Sequence, residues 1–292
     1  MENLAEIWPQ IVMNGLVLGA VYTLLALGLA LIFSIMRVVN IAHADLYMLG
    51  GVLTYFLFGQ WHLNYFLTLI IVVACLAVAG AVSERFLFRR LRGTGLAGPL
   101  ILSLGLSFFI RGATLVSFGE RERGIPSPVT GVISIGGVSF GTERLVVMIV
   151  SLVLIVGLFY FIAKVKSGQA MRALAQDAEA AYLQGIDINQ ISMLAFAISI
   201  ALAGLAGALL APIFVVGYAI GAPLILKLFI IVVLGGLGSL PGAVAGGFLI
   251  GFVEAASFTL FSGKLSYLAI FAVMLIVFLI RPQGLMGKAE LQ

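Results

Sequence analysis

Long apolar runs, separated by short polar stretches, are the most regular feature of this chain. A helix needs roughly 20 apolar residues to cross the hydrocarbon core of a bilayer, and most of these runs are of about that length. We therefore predict an all-α polytopic membrane protein with about eight or nine transmembrane helices. The predicted spans are residues 10–35, 41–59, 64–84, 97–119, 145–163, 190–211, 215–236, 239–260 and 265–280.

Two stretches interrupt the apolar pattern in a way that is typical of broken or re-entrant helices. Irregular backbone at membrane depth is tolerated only where protein or a cavity covers it. The run that starts at Asn40 is one candidate for a helix that begins inside the membrane. The other is residues 212–241, which hold Pro212, Gly217, Gly221, Pro223, Gly235, Gly236, Gly238 and Pro241.

The composition leaves little room for a soluble domain. Mean hydropathy is +1.22 and 10% of the residues are charged, whereas soluble domains carry about 25%. We predict one transmembrane domain over residues 1–292, with a polar segment at about 164–190. The net charge of +4 does not indicate a nucleic-acid partner, because the basic residues lie between apolar runs. The single cysteine, Cys75, lies inside an apolar run and is expected to be buried.

Lysine and arginine are unevenly divided between the two sides that alternating spans define. The positive-inside rule places the side that is richer in basic residues in the cytoplasm. We therefore expect an external N-terminus and a cytoplasmic C-terminus. In the longest outer loop, residues 120–144, apolar and polar residues alternate, which favours a short β-hairpin. The cytoplasmic side receives ten basic residues, Arg37, Arg85, Arg89, Arg90, Arg92, Lys164, Lys166, Arg172, Arg281 and Lys288, and the outer side four, Arg121, Arg123, Arg144 and Lys264.

A polar segment on the predicted cytoplasmic side reads as one amphipathic helix over residues 168–184. Gly185 would end this helix, and Asp187 would cap the next one. Helices that lie on lipid headgroups favour lysine and arginine, so the acids and amides here favour docking to a protein, with a headgroup position as the alternative. The apolar stripe is Met171, Leu174, Ala175, Ala178, Ala181 and Tyr182, and the polar face is Arg172, Gln176, Asp177, Glu179 and Gln184.

Four stretches resemble one family in order and spacing. "EAAYLQG" is similar to the cytoplasmic E-A-A-x-x-x-G loop of ABC importer permeases. Four longer stretches resemble branched-chain amino-acid ABC permeases of the LivH type (the LivH/LivM family). They are "NGLVLGAVYTLLALGLALIFSIMRVVNIAHADLYMLGG", "MRALAQDAEAAYLQGIDINQISMLAFAISIALAGLAGALLAP", "VVLGGLGSLPGAVAGGFLIG" and "RPQGLMG". One departure is Ala44, where the family usually has glycine, and Asp45 after it is also unusual.

The resemblance implies an importer in the bacterial plasma membrane for branched-chain or other hydrophobic amino acids. Its partners would be an external substrate-binding protein, a second permease that is a paralogue and two cytoplasmic ATPases. Relatives that carry urea, short amides or small carboxylates remain an alternative, as do an ion-coupled secondary transporter and a passive channel. The residues that would couple this chain to the ATPases are Arg172, Asp177, Glu179, Ala180, Ala181 and Gly185.

Catalytic chemistry is not indicated. The P-loop pattern G-x-x-x-x-G-K-[ST] does not occur in the sequence, so ATP would be used by partner subunits and this chain would be neither an enzyme nor a cofactor protein. No metal site is expected, since His43 and His62 are far apart and Cys75 stands alone.

The two breaks in the helical pattern are the predicted translocation path. Asn40 would cap a helix whose free N–H groups attract a carboxylate, with His43 nearby. Gly235, Gly236 and Gly238 form the other break, and we expect the two breaks to approach each other. An ordinary cytoplasmic boundary at Asn40 is the alternative reading.

Three ionisable residues lie deepest in the apolar runs: Arg111, Lys227 and Glu254. Such charges are costly and are expected to face the bundle interior or each other. Glu254 would pair with Lys227 or Arg111, in either a structural or a transport role. Glycines at four-residue spacing (Gly15 and Gly19; Gly238, Gly242 and Gly246; Gly247 and Gly251) predict close helix packing.

Overall fold

The fold is a bundle of helices with one small hairpin, as a computed structural model of residues 4–135, 138–261 and 263–287 describes it. Lys288, one of the ten basic residues counted on the cytoplasmic side, lies outside the described residues. The helices are α1 (Leu4–Met36), α2 (His43–Thr54), α3 (Tyr65–Phe86), α4 (Ala97–Phe118), α5 (Thr142–Lys164), α6 (Lys166–Gln176), α7 (Ala178–Leu183), α8 (Ile188–Leu210), α9 (Gly221–Gly235), α10 (Leu240–Leu260) and α11 (Gly263–Ile280).

Six of these helices, α1, α3, α4, α5, α8 and α10, are long and apolar enough to cross a membrane. Three shorter apolar segments accompany them: α2, which continues as a π-helix over Tyr55–Gln60, α9 and α11. The nine segments match the nine predicted runs, so the all-α polytopic prediction is confirmed. The helix that forms within the predicted span 215–236 is shorter than expected. This helix, α9, extends over about 22 Å, whereas the hydrocarbon core is about 30 Å thick.

The helices α1 and α8 form the centre of the bundle, and α3, α4 and α5 lie at its periphery with much of their apolar surface exposed. Cys75 lies on α3 and is exposed, so its expected burial is wrong. The reason is that α3 packs on α8 through the face that carries Val72, Leu76 and Gly80. A helix that is apolar all round does not reveal in its sequence which face is covered.

Glycines of α10 bring two neighbouring helices close, as their spacing predicts. A Cβ atom on Gly247 would lie 2.8 Å from the Cα atom of Thr23 in α1. On another face, a Cβ atom on Gly246 would lie 2.6 Å from the carbonyl oxygen of Ile231 in α9. The packing role of these glycines is therefore confirmed.

The predicted hairpin is present between α4 and α5. Strand β1 (Val132–Ile135) pairs antiparallel with β2 (Val138–Gly141), and residues 136–137 at its tip lie outside the described ranges. The loop before the hairpin is fixed to the loop before α9, because Arg123 and Val216 exchange two backbone hydrogen bonds of 2.8 Å.

Candidate functional site

The polar segment 164–190 forms two helices, so the prediction of one continuous helix over 168–184 is wrong. The chain is extended at Asp177, with φ −154° and ψ 112°. Its carboxylate accepts the backbone N–H groups of Glu179 (2.9 Å) and Ala180 (3.0 Å), which makes it the N-cap of α7. Aspartate competes with the helix for backbone donors, and here it ends α6 and starts α7.

The predicted apolar stripe divides between these two helices. Met171 and Leu174 of α6 are buried against the bundle, as is Ala181 of α7. Tyr182 and Leu183, by contrast, are 66% and 77% exposed. The short helix α7 is therefore held at one residue and presents apolar side chains outward.

Both ends of the segment 178–187 are fixed as predicted. Gly185 has φ +81°, a conformation that favours glycine and ends α7. Asp187 caps α8 by accepting the N–H groups of Asn189 (2.9 Å) and Gln190 (3.2 Å). A displacement of α7 would thus pass directly to α8 at the centre of the bundle.

The exposed face of the segment carries its unpaired charges. Arg172, Glu179 and Ala180 are exposed. Among the described residues, neither Arg172 nor Glu179 makes an ion pair. Arg172 and Glu179, unpaired among the residues that the structure describes, are thus available to a partner protein.

A buried carboxylate beside this segment was missed by the sequence analysis. Glu84, at the end of α3, is buried and pairs with Arg89 (2.7 Å) and with Arg92. Arg92 also donates to the side chain of Asn189 in α8 at 2.8 Å. Partial burial lowers the pKa of the Arg92 guanidinium, and the Glu84 carboxylate opposes that shift. The cluster holds the ends of α3 and α8 together, and the available signal was the close spacing of one glutamate and two arginines.

The helix α2 begins beside the middle of α1. The Nε2 atom of His43 lies 3.1 Å from the carbonyl oxygen of Leu25, which is about 16 Å along α1 from its end at Met36. Asn40 does not cap α2, because the N-cap position is Ala42, whose side chain makes no capping hydrogen bond. Both polar atoms of the Asn40 side chain are buried without a hydrogen-bond partner among the described residues.

The surroundings of the glycine break after α9 differ from those of Asn40 and His43. Gly236 and Gly238 adopt φ +100° and +80°, and a Cβ atom on Gly238 would lie 3.5 Å from Ser34 near the end of α1. Leu285 and Met286 of the C-terminal segment donate their N–H groups to the last carbonyl groups of α9, which would otherwise lack partners. The path role of Asn40, His43, Gly235, Gly236 and Gly238 therefore stays a prediction.

Arg111 pairs with a carboxylate that the sequence analysis had not chosen as its partner. Its Nε atom lies 2.7 Å from Oδ1 of Asp45, at the start of α2, and Ser107 donates to the same carboxylate at 2.5 Å. Asp45 is fully buried. Asp45 is therefore a further carboxylate within the bundle, in addition to Glu254, the carboxylate that the sequence places deepest in an apolar run.

The predicted pair of Glu254 with Lys227 is confirmed. The Nζ atom of Lys227 in α9 lies 2.6 Å from Oε1 of Glu254 in α10. The hydroxyl group of Tyr22 in α1 donates to Oε2 at 2.8 Å. The pair thus joins three helices, and the ring of Tyr267 in α11 lies 4.8 Å from the ammonium group.

This pair forms part of the wall of a cavity of about 400 Å³, within the roughly 300–1,000 Å³ of small-molecule sites. The cavity extends to Asn14, about three turns into α1, and to Arg144 in the first turn of α5, and its lining is mostly apolar. None of the five predicted path residues lines it. Among the described residues, no three histidine, cysteine or acidic side chains come together as a metal site requires. The apolar part of the lining includes Val17, Leu18, Leu210, Ile213, Leu224 and Phe258.

The chain matches one family model over nearly its whole length. The model describes the permease component of branched-chain amino acid transport systems, and the match covers residues 11–278. The chain is 33% identical to the high-affinity branched-chain amino acid transport system permease protein BraD of Pseudomonas aeruginosa, over 97% of each chain. It is 31% identical to LivH of Escherichia coli, over 97% of this chain and 96% of that protein.

A second type of permease is also similar. LivM of Escherichia coli is 27% identical over 99% of this chain and 74% of that protein. No solved structure matches the chain.

Proposed function

Because this chain belongs to the family of permease components of branched-chain amino acid transport systems, we propose that it imports branched-chain and other hydrophobic amino acids as a subunit of an ABC transporter. It is a multi-pass membrane protein, and we assign it to the bacterial plasma membrane. The observation that carries the proposal is the exposed, capped helix α7 within the E-A-A-x-x-x-G sequence. A short helix fixed at both ends is suited to receive force from a soluble motor.

The coupling surface consists of the exposed side of α6 and α7. Asp177 and Gly185 set the limits of α7, Ala181 holds it to the bundle, and Arg172, Glu179 and Ala180 face outward. The exposed Tyr182 and Leu183 add apolar contact area. This combination fits a groove on a soluble ATPase, in which small residues allow close approach and apolar anchors supply binding energy.

The energy source is a pair of separate ATPase subunits, since the chain lacks a P-loop sequence. The permease itself then binds no nucleotide cofactor and catalyses no reaction. The similarity to LivH and to LivM, two different permeases, supports a paralogue as the second membrane subunit. An external substrate-binding protein completes the proposed complex, with α6 and α7 on the cytoplasmic side.

The ion pairs of the carboxylates within the bundle argue against an ion-coupled transporter. Such a transporter needs an intramembrane group that is free to bind the coupling ion. Asp45 and Glu254, which lie well inside the apolar region away from the first turns of α1 and α5, are each paired with a base, and Glu84 at the end of α3 pairs with two arginines. The chain therefore offers no free carboxylate at that depth within the described residues.

The test is ATP-driven leucine uptake by proteoliposomes that contain the complete transporter. Glu179→Arg, which reverses an exposed charge on α7, should reduce both co-purification of the ATPase and uptake. The matched control is Glu120→Arg, the same charge reversal at an exposed site in the loop after α4. Normal ATPase binding and normal uptake in Glu179→Arg would contradict the coupling role.

A further inference from the structure

The Lys227–Glu254 pair keeps hydrogen-bonding capacity that the described residues do not use. An ammonium group has three donors; one is directed to Glu254 at 2.6 Å and another reaches the hydroxyl group of Tyr22 at 3.5 Å. A carboxylate has about four acceptor positions, and Glu254 accepts from Lys227 and Tyr22. A ligand can therefore bind both charges without separating them.

Both charged side chains are accessible from the cavity. Lys227 and Glu254 keep 10% and 16% of their side-chain surface exposed, and both line the cavity. The surrounding wall is apolar, with Leu210, Ile213 and Phe258 among its residues. At the pair, the site combines one positive group, one negative group and a hydrocarbon surface within about 400 Å³, and Arg144, which donates to Asn14, adds a second positive group elsewhere on the wall.

The net charge of the pair decides which ligand suits it. A ligand with a single charge that is bound at the pair, away from Arg144, would leave an uncompensated charge against an apolar wall, which is costly. A neutral amide would form weaker hydrogen bonds, because charge-assisted bonds are roughly twice as strong as neutral ones. A zwitterion adds no net charge and places each of its ends against an opposite charge. The substrate class that fits is an α-amino acid with a hydrocarbon side chain.

We propose that this cavity is a substrate site of the permease, in which Lys227 binds the carboxylate of the amino acid, Glu254 binds its ammonium group and the apolar wall binds its side chain. This assignment rests on the proposed transport function and deepens it. Glu254 lies about 9 Å along α10 from its end at Leu260, so the site is recessed below one face of the bundle. In the proposed orientation, that is the face on which an external binding protein delivers its ligand.

The direct test uses photo-leucine, a diazirine analogue of leucine, on the reconstituted wild-type transporter during ATP-driven uptake. Cross-links are expected in the peptides that contain 210–224 or 254–259. Leucine should suppress them. The compounds 4-methylpentanoate and isopentylamine, which are leucine without its ammonium group and without its carboxylate, should compete roughly tenfold or more weakly. Cross-links confined to residues that do not line the cavity, or equal competition by the singly charged compounds, would overturn the assignment.

Charge exchange separates a binding role from a structural one. Lys227→Met and Glu254→Gln should each lower leucine uptake by roughly tenfold or more. The double exchange Lys227→Glu with Glu254→Lys restores an ion pair between the two helices, but it reverses the polarity of the site relative to the apolar wall. It should therefore assemble with the ATPases yet fail to restore uptake. Restored uptake in the double exchange would show that the pair only stabilises the fold.

The outcomes distinguish this assignment from the proposed function. If the wild-type complex takes up no leucine with ATP, the proposed function itself fails. If uptake occurs but the photo-leucine cross-links lie outside the cavity, the assignment of the site alone fails. The cross-linking measurement needs no substitution, so misfolding of a variant cannot obscure the result.

Discussion

Asp177 accepts the backbone N–H group of Glu179 at 2.9 Å, and this bond marks the point at which a single polar segment becomes two helices. The first helix, α6, packs on the bundle, whereas α7 carries most of the exposed residues of the proposed coupling surface. The conformation of α7 therefore depends on a side chain that the sequence suggests is only a charge on a helix face.

Removing this cap should weaken coupling more than assembly of the membrane domain. Asp177→Ala loses an N-cap worth about 1 kcal/mol, so α7 should be less ordered and ATPase stimulation by the transport cycle should fall. Asp177→Asn is the matched control, because asparagine caps about equally well. Hydrolysis that responds to substrate equally in both variants would contradict the role of the cap.

Breaking the pair between α2 and α4 should destabilise the protein. Asp45→Asn leaves the guanidinium group of Arg111 without its carboxylate in an apolar setting, and loss of one partner of a buried pair costs roughly 3–5 kcal/mol. The thermal midpoint of the purified complex should fall clearly. Glu120→Gln, which removes an exposed charge, serves as the control. Equal midpoints for the two variants would argue against a structural role for the pair.

The close contact between α1 and α10 should tolerate no added side chain. Gly247→Ala places a Cβ atom 2.8 Å from the backbone of Thr23, so the helices must separate. Gly112→Ala in α4 is the control, since a Cβ atom there meets nothing within 4 Å. Thermal unfolding in detergent should show a lower midpoint for Gly247→Ala and little change for Gly112→Ala. A reversed order would contradict the packing described.

The orientation of the chain can be checked with single cysteines. Cys75 is exposed on α3 and must first be replaced by alanine. A cysteine at Arg90 should then react with a membrane-impermeant maleimide only from the cytoplasmic side, and one at Ser127 only from outside. This result follows from the excess of basic residues near the predicted cytoplasmic ends of the spans. Labelling on the opposite sides would reject both the orientation and the docking of α7 to a cytoplasmic ATPase.

The sequence predicted those features that depend on local pattern. The nine apolar runs, the glycine contacts of α10, the cap at Asp187 and the stop at Gly185 each follow from residues close together in the chain. These are matters of helix length, of small side chains at four-residue spacing and of backbone donors at helix ends.

Features that depend on long-range contact were not accessible from the sequence. The partner of Arg111 is Asp45, 66 residues away, and a charge in an apolar run does not indicate which other charge it will meet. The exposure of Cys75 depends on which face of α3 meets α8. The cavity at Lys227 and Glu254 is formed by residues of α1, α2, α5, α8, α9, α10 and α11 together with the loop before α9. The break at Asp177 was missed because the spacing of the apolar residues around it fits one continuous helix as well as two helices, the second of which is capped by Asp177.

Site-specific cross-linking from α7 tests the coupling of this permease to an ATPase most directly. A photo-reactive amino acid in place of Tyr182, which is 66% exposed, should cross-link to the soluble ATPase subunit in the assembled transporter. The same amino acid in place of Val116, which is 89% exposed on α4, should give no such product. Cross-linking to lipid alone from position 182, in a complex that still transports leucine, would contradict the account.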